Sequence, residues 1–311
     1  MKADESYLAD LRDGQAVYGY PGGDYPGRQY YVNNITGSSG GDGSDWENAM
    51  DEVSTAITAA EAYRISAVFP NSTNQYIRNQ IFAQGTGTPY SEITALPSYC
   101  DLIGLGADPF GNGAGIARIG ADTGTGENGL SGTSSVRGLR MRGFQFQAGN
   151  GGYAFQMSNI FRSRIEHCVF ATNGSPAGAP AVGFEIAIGS GLVMDDCHWL
   201  NQSSITNSND VGFSVTGTHF HGCKVTNCNI SGADAALQIG STVINGYNSE
   251  FVNCFFGWGS ETCAIGIDDN ATVGHIIYRR CDIFATDPIE LTHNAANRAI
   301  GCMSADGFVI T

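Results

Sequence analysis

Ile165-Glu-His-Cys-Val-Phe170, Met194-Asp-Asp-Cys-His-Trp199 and Val225-Thr-Asn-Cys-Asn-Ile230 are three copies of one phrase, and its reading decides the fold. The phrase runs apolar, any residue, turn-tolerant residue, Cys or Phe, any residue, apolar. Four more copies are Met141-Arg-Gly-Phe-Gln-Phe146, Phe251-Val-Asn-Cys-Phe-Phe256, Tyr278-Arg-Arg-Cys-Asp-Ile283 and Ala299-Ile-Gly-Cys-Met-Ser304. Side chains alternate faces along a strand, so positions four and six share a face while position one points away. All three are mostly apolar, so the chain must bend between the first and the fourth. The third position holds Gly143, His167, Asp196, Asn227, Asn253, Arg280 and Gly301. Except for Arg280, these residue types tolerate a left-handed backbone.

Working outward, an alternating apolar pair precedes six of the copies: Phe155/Met157, Phe184/Ile186, Phe213/Val215, Leu237/Ile239, Ile265/Ile267 and Ile289/Leu291. A repeat of about 21 to 31 residues built from short strands is a solenoid signature. Strand, one- or two-residue bend and strand, stacked coil on coil, predict an all-β, single-stranded parallel β-helix.

Position four is Phe144, then Cys168, Cys197, Cys228, Cys254, Cys281 and Cys302. A site that takes Phe or Cys is an interior packing site, where free Cys behaves as a small hydrophobe. The nine cysteines form no CxxC and no tight Cys/His cluster, and their number is odd, so a buried thiol ladder is expected rather than disulfides or a metal.

Composition agrees. The chain of 311 residues is 42% apolar, only 14% charged, and its 43 glycines follow no three-residue period, which excludes collagen. A formal charge of −15 argues against nucleic acid and against an anionic membrane as partners. Neither a signal peptide nor a membrane span is expected.

Residues 1–28 read as an arm, with Tyr18, Tyr20 and Tyr25 in a turn-forming Gly/Pro stretch as candidate partner-binding residues. Residues 29–64 hold an opening strand, a Gly-rich loop and a capping helix. Ser44-Asp-Trp-Glu47 has capping-box spacing, and Trp46, Ala49, Met50, Val53, Ile57 and Ala60 share a helical face. Residues 65–311 are then a β-helix of roughly ten coils, at about 4.8 Å each roughly 50 Å long. Its first strands are expected at Ile65–Phe69 and Tyr76–Phe82, with regular coils from about Val136, after Gly-rich loops 107–115 and 120–134 that offer a binding rim. The last residues, Gly307-Phe-Val-Ile-Thr311, carry no second cap, so a strand edge and apolar groups call for cover by self-association, most simply a homotrimer.

Chemistry is sparse in the pattern. The outward row between the paired apolar positions reads Gln156, Glu185, Ser214, Gln238, Gly266 and Glu290, whose two carboxylates stand about 19 Å apart, too far for a glycosidase pair. Asp195-Asp196 with His198 is the best local doublet, yet Asp196 fills a bend position. No catalytic residue, metal ligand or cofactor site is expected.

Tyr30-Tyr-Val-Asn33, Gly37 to Trp46, Ala49 to Ala60, Ile65-Ser-Ala-Val-Phe-Pro70 and Leu102-Ile-Gly-Leu-Gly106 together resemble the opening of pectate-lyase-like β-helix proteins. The resemblance covers nearly the whole chain and is one of architecture, and it implies a right-handed helix. The family's calcium-binding aspartates and catalytic Arg or Lys have no matching positions. A leaderless chain with a Tyr/Gly/Pro arm resembles the phage and virus structural members: tail spikes, fibres and capsid decoration proteins. That implies a non-enzymatic homotrimer on the virion surface, anchored by its arm to a capsid or tail protein, with a host-surface glycan as a further partner. The alternatives are a polysaccharide lyase or hydrolase and a self-assembling surface filament.

Overall fold

The computed structural model describes residues 27–65, 77–111, 115–120, 125–172, 180–201, 210–257, 263–291, 298–304 and 309–310. They form a parallel β-solenoid with a single helix. Three sheets run along its axis. The first has ten strands, from Gln29–Val32 through Asn79–Gln84, Cys100–Leu105 and Arg140–Arg142 to Arg298–Ile300. The second has nine, from Ala117–Ile119 to Val309–Ile310, and the third seven, from Leu130–Arg137 to Ala285–Leu291. Pairing is parallel throughout except at Val309–Ile310, which turns back antiparallel on Cys302–Ser304.

All seven bend positions have positive φ, from 49° at His167 to 76° at Gly143, Arg280 at 53° among them. The bend N–H groups from Gly143 to Arg280 are satisfied by the next coil: Asn227 N donates to Val252 O at 3.1 Å and Asn253 N to Arg279 O at 3.0 Å. A second left-handed column, Tyr99, Gly138, Arg162, Gly191, Gly222 and Asn248, turns the chain from the third sheet into the first. The glycines at 138, 191 and 222, each two residues before a first-sheet strand, were its trace in the sequence.

The core follows the phrase. Phe146, Phe170 and Trp199 stack on neighbouring coils and meet Phe155, Phe184 and Phe213 of the third sheet edge-on or face-on, at centroid distances of 4.6 to 6.2 Å. Such pairs contribute about 0.5–1.5 kcal/mol each beyond area burial. Phe144 and the six position-four cysteines are buried, and all nine cysteines are free thiols. The ladder has a polar logic as well. The thiols of Cys197, Cys254, Cys281 and Cys302 lie 3.4 to 3.6 Å from the carbonyls of Ile165, Val225, Phe251 and Tyr278, the first phrase position of the coil before. Cys fits where a methyl-sized group must also donate weakly.

Three expectations are corrected. The helix, α1, spans Val53–Ile65 instead of opening at Ser44. Asp45 Oδ1 accepts from the N–H groups of Glu47 and Asn48 in a local turn, and Met50 bonds as a bridge to Tyr31 and Asn33, which holds residues 45–50 out of a helix. Trp46 therefore lies on the surface, 40% exposed, with Tyr31 edge-on at 4.8 Å. α1 buries Val53, Ala56, Ile57 and Ala60, and Asn79 Nδ2 donates to Ala60 O at 2.7 Å, tying it to the first sheet. Second, Leu130–Arg137 is a strand of the third sheet and not part of a loop. Third, Leu237 pairs with Ile267, and Ile239 with Asp269, so the pair Ile265/Ile267 sits two residues out of place. Asp269 enters the core there and accepts from the buried Tyr278 hydroxyl at 2.8 Å. The expected strand Ile65–Phe69 lies outside the described residues beyond Ile65, the last residue of α1.

Candidate functional site

A charged outer face distinguishes the first sheet. Of the chain's 15 Lys and Arg residues, Arg140, Arg142, Arg164, Lys224, Arg279 and Arg298 lie on its strands, at the alternate positions that point away from the core. Arg78 and Arg280 flank its strands, and Arg137 and Arg162 stand at the corner where strands of the third sheet end and the chain turns into the first. A protein of net charge −15 thus gathers most of its cations along one side. Between them a cleft of about 230 Å³ is lined by Gln80, Asp101, Ile103, Arg140, Arg142, Arg164 and Glu166, over Met141.

Register sets its chemistry. In one column Asp101, Arg140 and Arg164 follow each other on successive coils; in the other, Ile103, Arg142, Glu166 and Asp195. Arg78 Nη1 bonds Asp101 Oδ1 at 2.5 Å and its Nη2 donates to Gly138 O at 3.0 Å. Arg164 pairs with Glu166 at 2.5 Å, while Lys224 pairs with Glu250 at 3.2 Å. Asp195 Oδ1 accepts from Thr226 Oγ1 at 2.6 Å and Asn227 Nδ2 at 2.9 Å. These partly exposed pairs add little stability each; they fix where the charges stand. Arg142 is the exposed cation of the cleft.

The third sheet carries the acidic counterpart. Its outward row is Gln156, Glu185, Ser214, Gln238, Asp268 and Glu290, with Asp268 in the place expected for Gly266. Asp268 and Glu290 are therefore register neighbours, about 4.8 Å apart along the axis, while Glu185 and Glu290 remain four coils apart, as read from the sequence. Gln156 Nε2 donates to Glu185 at 2.8 Å and Gln238 Nε2 to Asp268 at 3.3 Å.

On the second sheet, Phe110 sits between two histidines, edge-on to His167 at 4.4 Å and stacked on His198 at 4.1 Å. His167 also reaches Asp196 at 3.0 Å and Asp108 at 3.5 Å. Burial pushes the His198 pKa down, with Asp196 opposing. Loop 107–111 is thus fastened to the solenoid wall. Toward the last coils Phe255 and Met303 on the same sheet and Phe284 just after its strand Asp282–Ile283 are 42%, 47% and 39% exposed, with Asp282 between Phe255 and Met303 in register.

The structural residues expected from the sequence, Gly143, Phe144, Asn227, Asn253 and the six cysteines, fall into two columns, one of bends and one of core. Tyr18, Tyr20 and Tyr25 lie outside the described residues. The cleft residues were missed, because Arg140, Arg142, Arg164 and Glu166 meet only through coil register. Their one trace was the alternation Arg140-Met-Arg142 and Arg164-Ile-Glu166, charge on both sides of a core residue. Among the described residues no group of three or more His, Cys, Asp or Glu is placed to hold a metal ion, and no helix is long and apolar enough to cross a membrane.

No protein-family model matches the chain, and no curated protein matches it significantly.

Proposed function

We propose that the chain is a non-enzymatic structural protein of a virion surface, a capsid decoration protein or a tail spike or fibre of the pectate-lyase-like kind. In this reading the arm attaches it and the β-helix protrudes as a rigid adhesive body. The observation that carries it is the reciprocal tying of outer charges: Arg78 to Asp101, Arg164 to Glu166, Lys224 to Glu250. Such ties spread contact groups along the solenoid instead of converging them on one reacting atom, which suits extended adhesion. The exposed apolar side chains Phe255, Phe284 and Met303 near the last coils support self-association, with a homotrimer as the simplest closed form.

The test is mass-resolved light scattering of the full chain and of Phe255→Ser/Phe284→Ser, together with incubation against acidic and neutral polysaccharides. A trimer that the double variant dissociates, with polymer bound and no new chain ends, is the expected result. A monomer at all concentrations would sink the trimeric spike.

One observation favours a second reading, a glycan-cleaving enzyme. Asp268 and Glu290 stand one coil apart, near the roughly 5–5.5 Å carboxylate separation of retaining glycosidases. Product formation abolished by Glu290→Gln would establish it over the first.

A further inference from the structure

We infer that the corner between the third and first sheets is a docking ridge for an acidic segment of a partner protein. One of its columns is Arg137, Phe161, Ser190 and His221, in register on successive coils. Tyr247 continues it: its carbonyl accepts from Gly222 N at 2.9 Å, as that of His221 accepts from Gly191 N at 2.8 Å. Beside it run Ser135, Asn159, Ile188, His219 and Asn245. The left-handed column from Tyr99 to Asn248 completes a ridge about 24 Å long. None of these positions holds a carboxylate, in a chain with 30 Asp and Glu residues. Carboxylates return on both sides, at Glu185 and Asp268 on the third sheet and at Asp101 and Glu250 on the first.

Two cations give the ridge its charge. Arg137 and Arg162 are exposed, and among the described residues neither meets a carboxylate, whereas Arg78, Arg164 and Lys224 are paired. The Arg137 guanidinium lies over the Phe161 ring, 4.8 Å from its centroid, which holds it one coil from Arg162. The backbone is strained to present these groups. Arg162 has a φ of 47° and Tyr99 one of 52°, in a column that has glycine at 138, 191 and 222. Strained backbone of this kind clusters at ligand-contact sites.

The chemistry favours a peptide. Guanidinium forks take a carboxylate in two parallel hydrogen bonds, and Arg and aromatic side chains are enriched at protein interfaces. A sugar would need an open ring face, and the guanidinium of Arg137 covers one face of Phe161. Nucleic acid would need more than two cations to outweigh a charge of −15. A ridge three columns wide offers less than the roughly 800 Å² per partner of a standard interface, so the complex is a weak one.

The inference goes beyond the adhesive reading and does not rest on it, since the ridge is separate from the cleft and from Phe255, Phe284 and Met303. Full-length protein is titrated by fluorescence anisotropy with a labelled peptide of alternating Glu and Tyr and with its Gln/Tyr counterpart. Labelled single-stranded DNA and a labelled uronate oligosaccharide are titrated in parallel. The Glu/Tyr peptide is expected to bind at least about tenfold tighter than the Gln/Tyr peptide, and less tightly as salt is raised. Arg137→Gln/Arg162→Gln should lose about tenfold or more, and Arg142→Gln on the first sheet less than about twofold. Arg162→Gly should bind more weakly while its urea midpoint stays or rises, because glycine takes the left-handed backbone freely. That pairing of outcomes separates a lost contact from a lost fold. Equal binding of the Gln/Tyr peptide, unchanged affinity in the double Arg variant, or tighter binding of DNA or uronate to the same two arginines would each overturn the inference. So would no binding of the Glu/Tyr peptide at about 1 mM.

Discussion

Arg280 holds a backbone φ of 53°, the same value as Asn253 one coil earlier in the bend column. The column imposes the conformation: Arg280 N donates to Ile300 O at 3.0 Å, as Asn253 N does to Arg279 O. An ordinary L-residue held there costs about 1–2 kcal/mol, which Asn and Gly reduce. Arg280→Asn is expected to stabilise the protein by about 1 kcal/mol, and Asn253→Ala to destabilise it by a similar amount, read as opposite shifts of the urea midpoint.

The thiols give a pH dependence. Burial pushes Cys223 up to about 12 and Cys263 up to about 11, from the usual 9.0. The folded protein keeps these protons where the unfolded chain has released them. Stability is therefore full below pH 9 and falls as pH rises from 9 toward 11 and 12, by at most about 1.4 kcal/mol per pH unit for each thiol. Urea unfolding at pH 8.5 and 10.5 measures it. At pH 8 a thiol reagent should modify the cysteines only after denaturant is added.

Tyr278 and Asp269 form a buried phenol–carboxylate contact of 2.8 Å. Removing the hydroxyl leaves a carboxylate oxygen in the core without that donor, at a cost of about 1–3 kcal/mol. Tyr278→Phe should lower the unfolding free energy by that amount, while circular dichroism at neutral pH stays β-rich.

Phe110 shields His198 by stacking on it at 4.1 Å. Since burial is the leading cause of the depressed His198 pKa, Phe110→Ala should raise it toward 6.5, with Asp196 and Asp108 reinforcing the rise. An NMR titration of the His198 ring protons follows the shift, and an unchanged pKa would show that the ring does not shield it.

The bend and core columns were legible in the chain because they rest on alternation and on residue type within six positions. That local grammar determined the parallel β-helix, the left-handed bends at Gly143, Asn227 and Asn253, and the burial of the thiols. It misplaced the helix start, since Met50 is held by hydrogen bonds to Tyr31 and Asn33 that local spacing does not encode. Only the tertiary structure decided which outward residues are neighbours. Coils differ in length, so the loops between them set the register, and a shift of two residues puts Asp268 beside Glu290 in place of Gly266. Arg140, Arg142, Arg164 and Glu166 become one cleft for the same reason: stacking brings together side chains from successive coils, at a spacing of about 4.8 Å that no single strand contains.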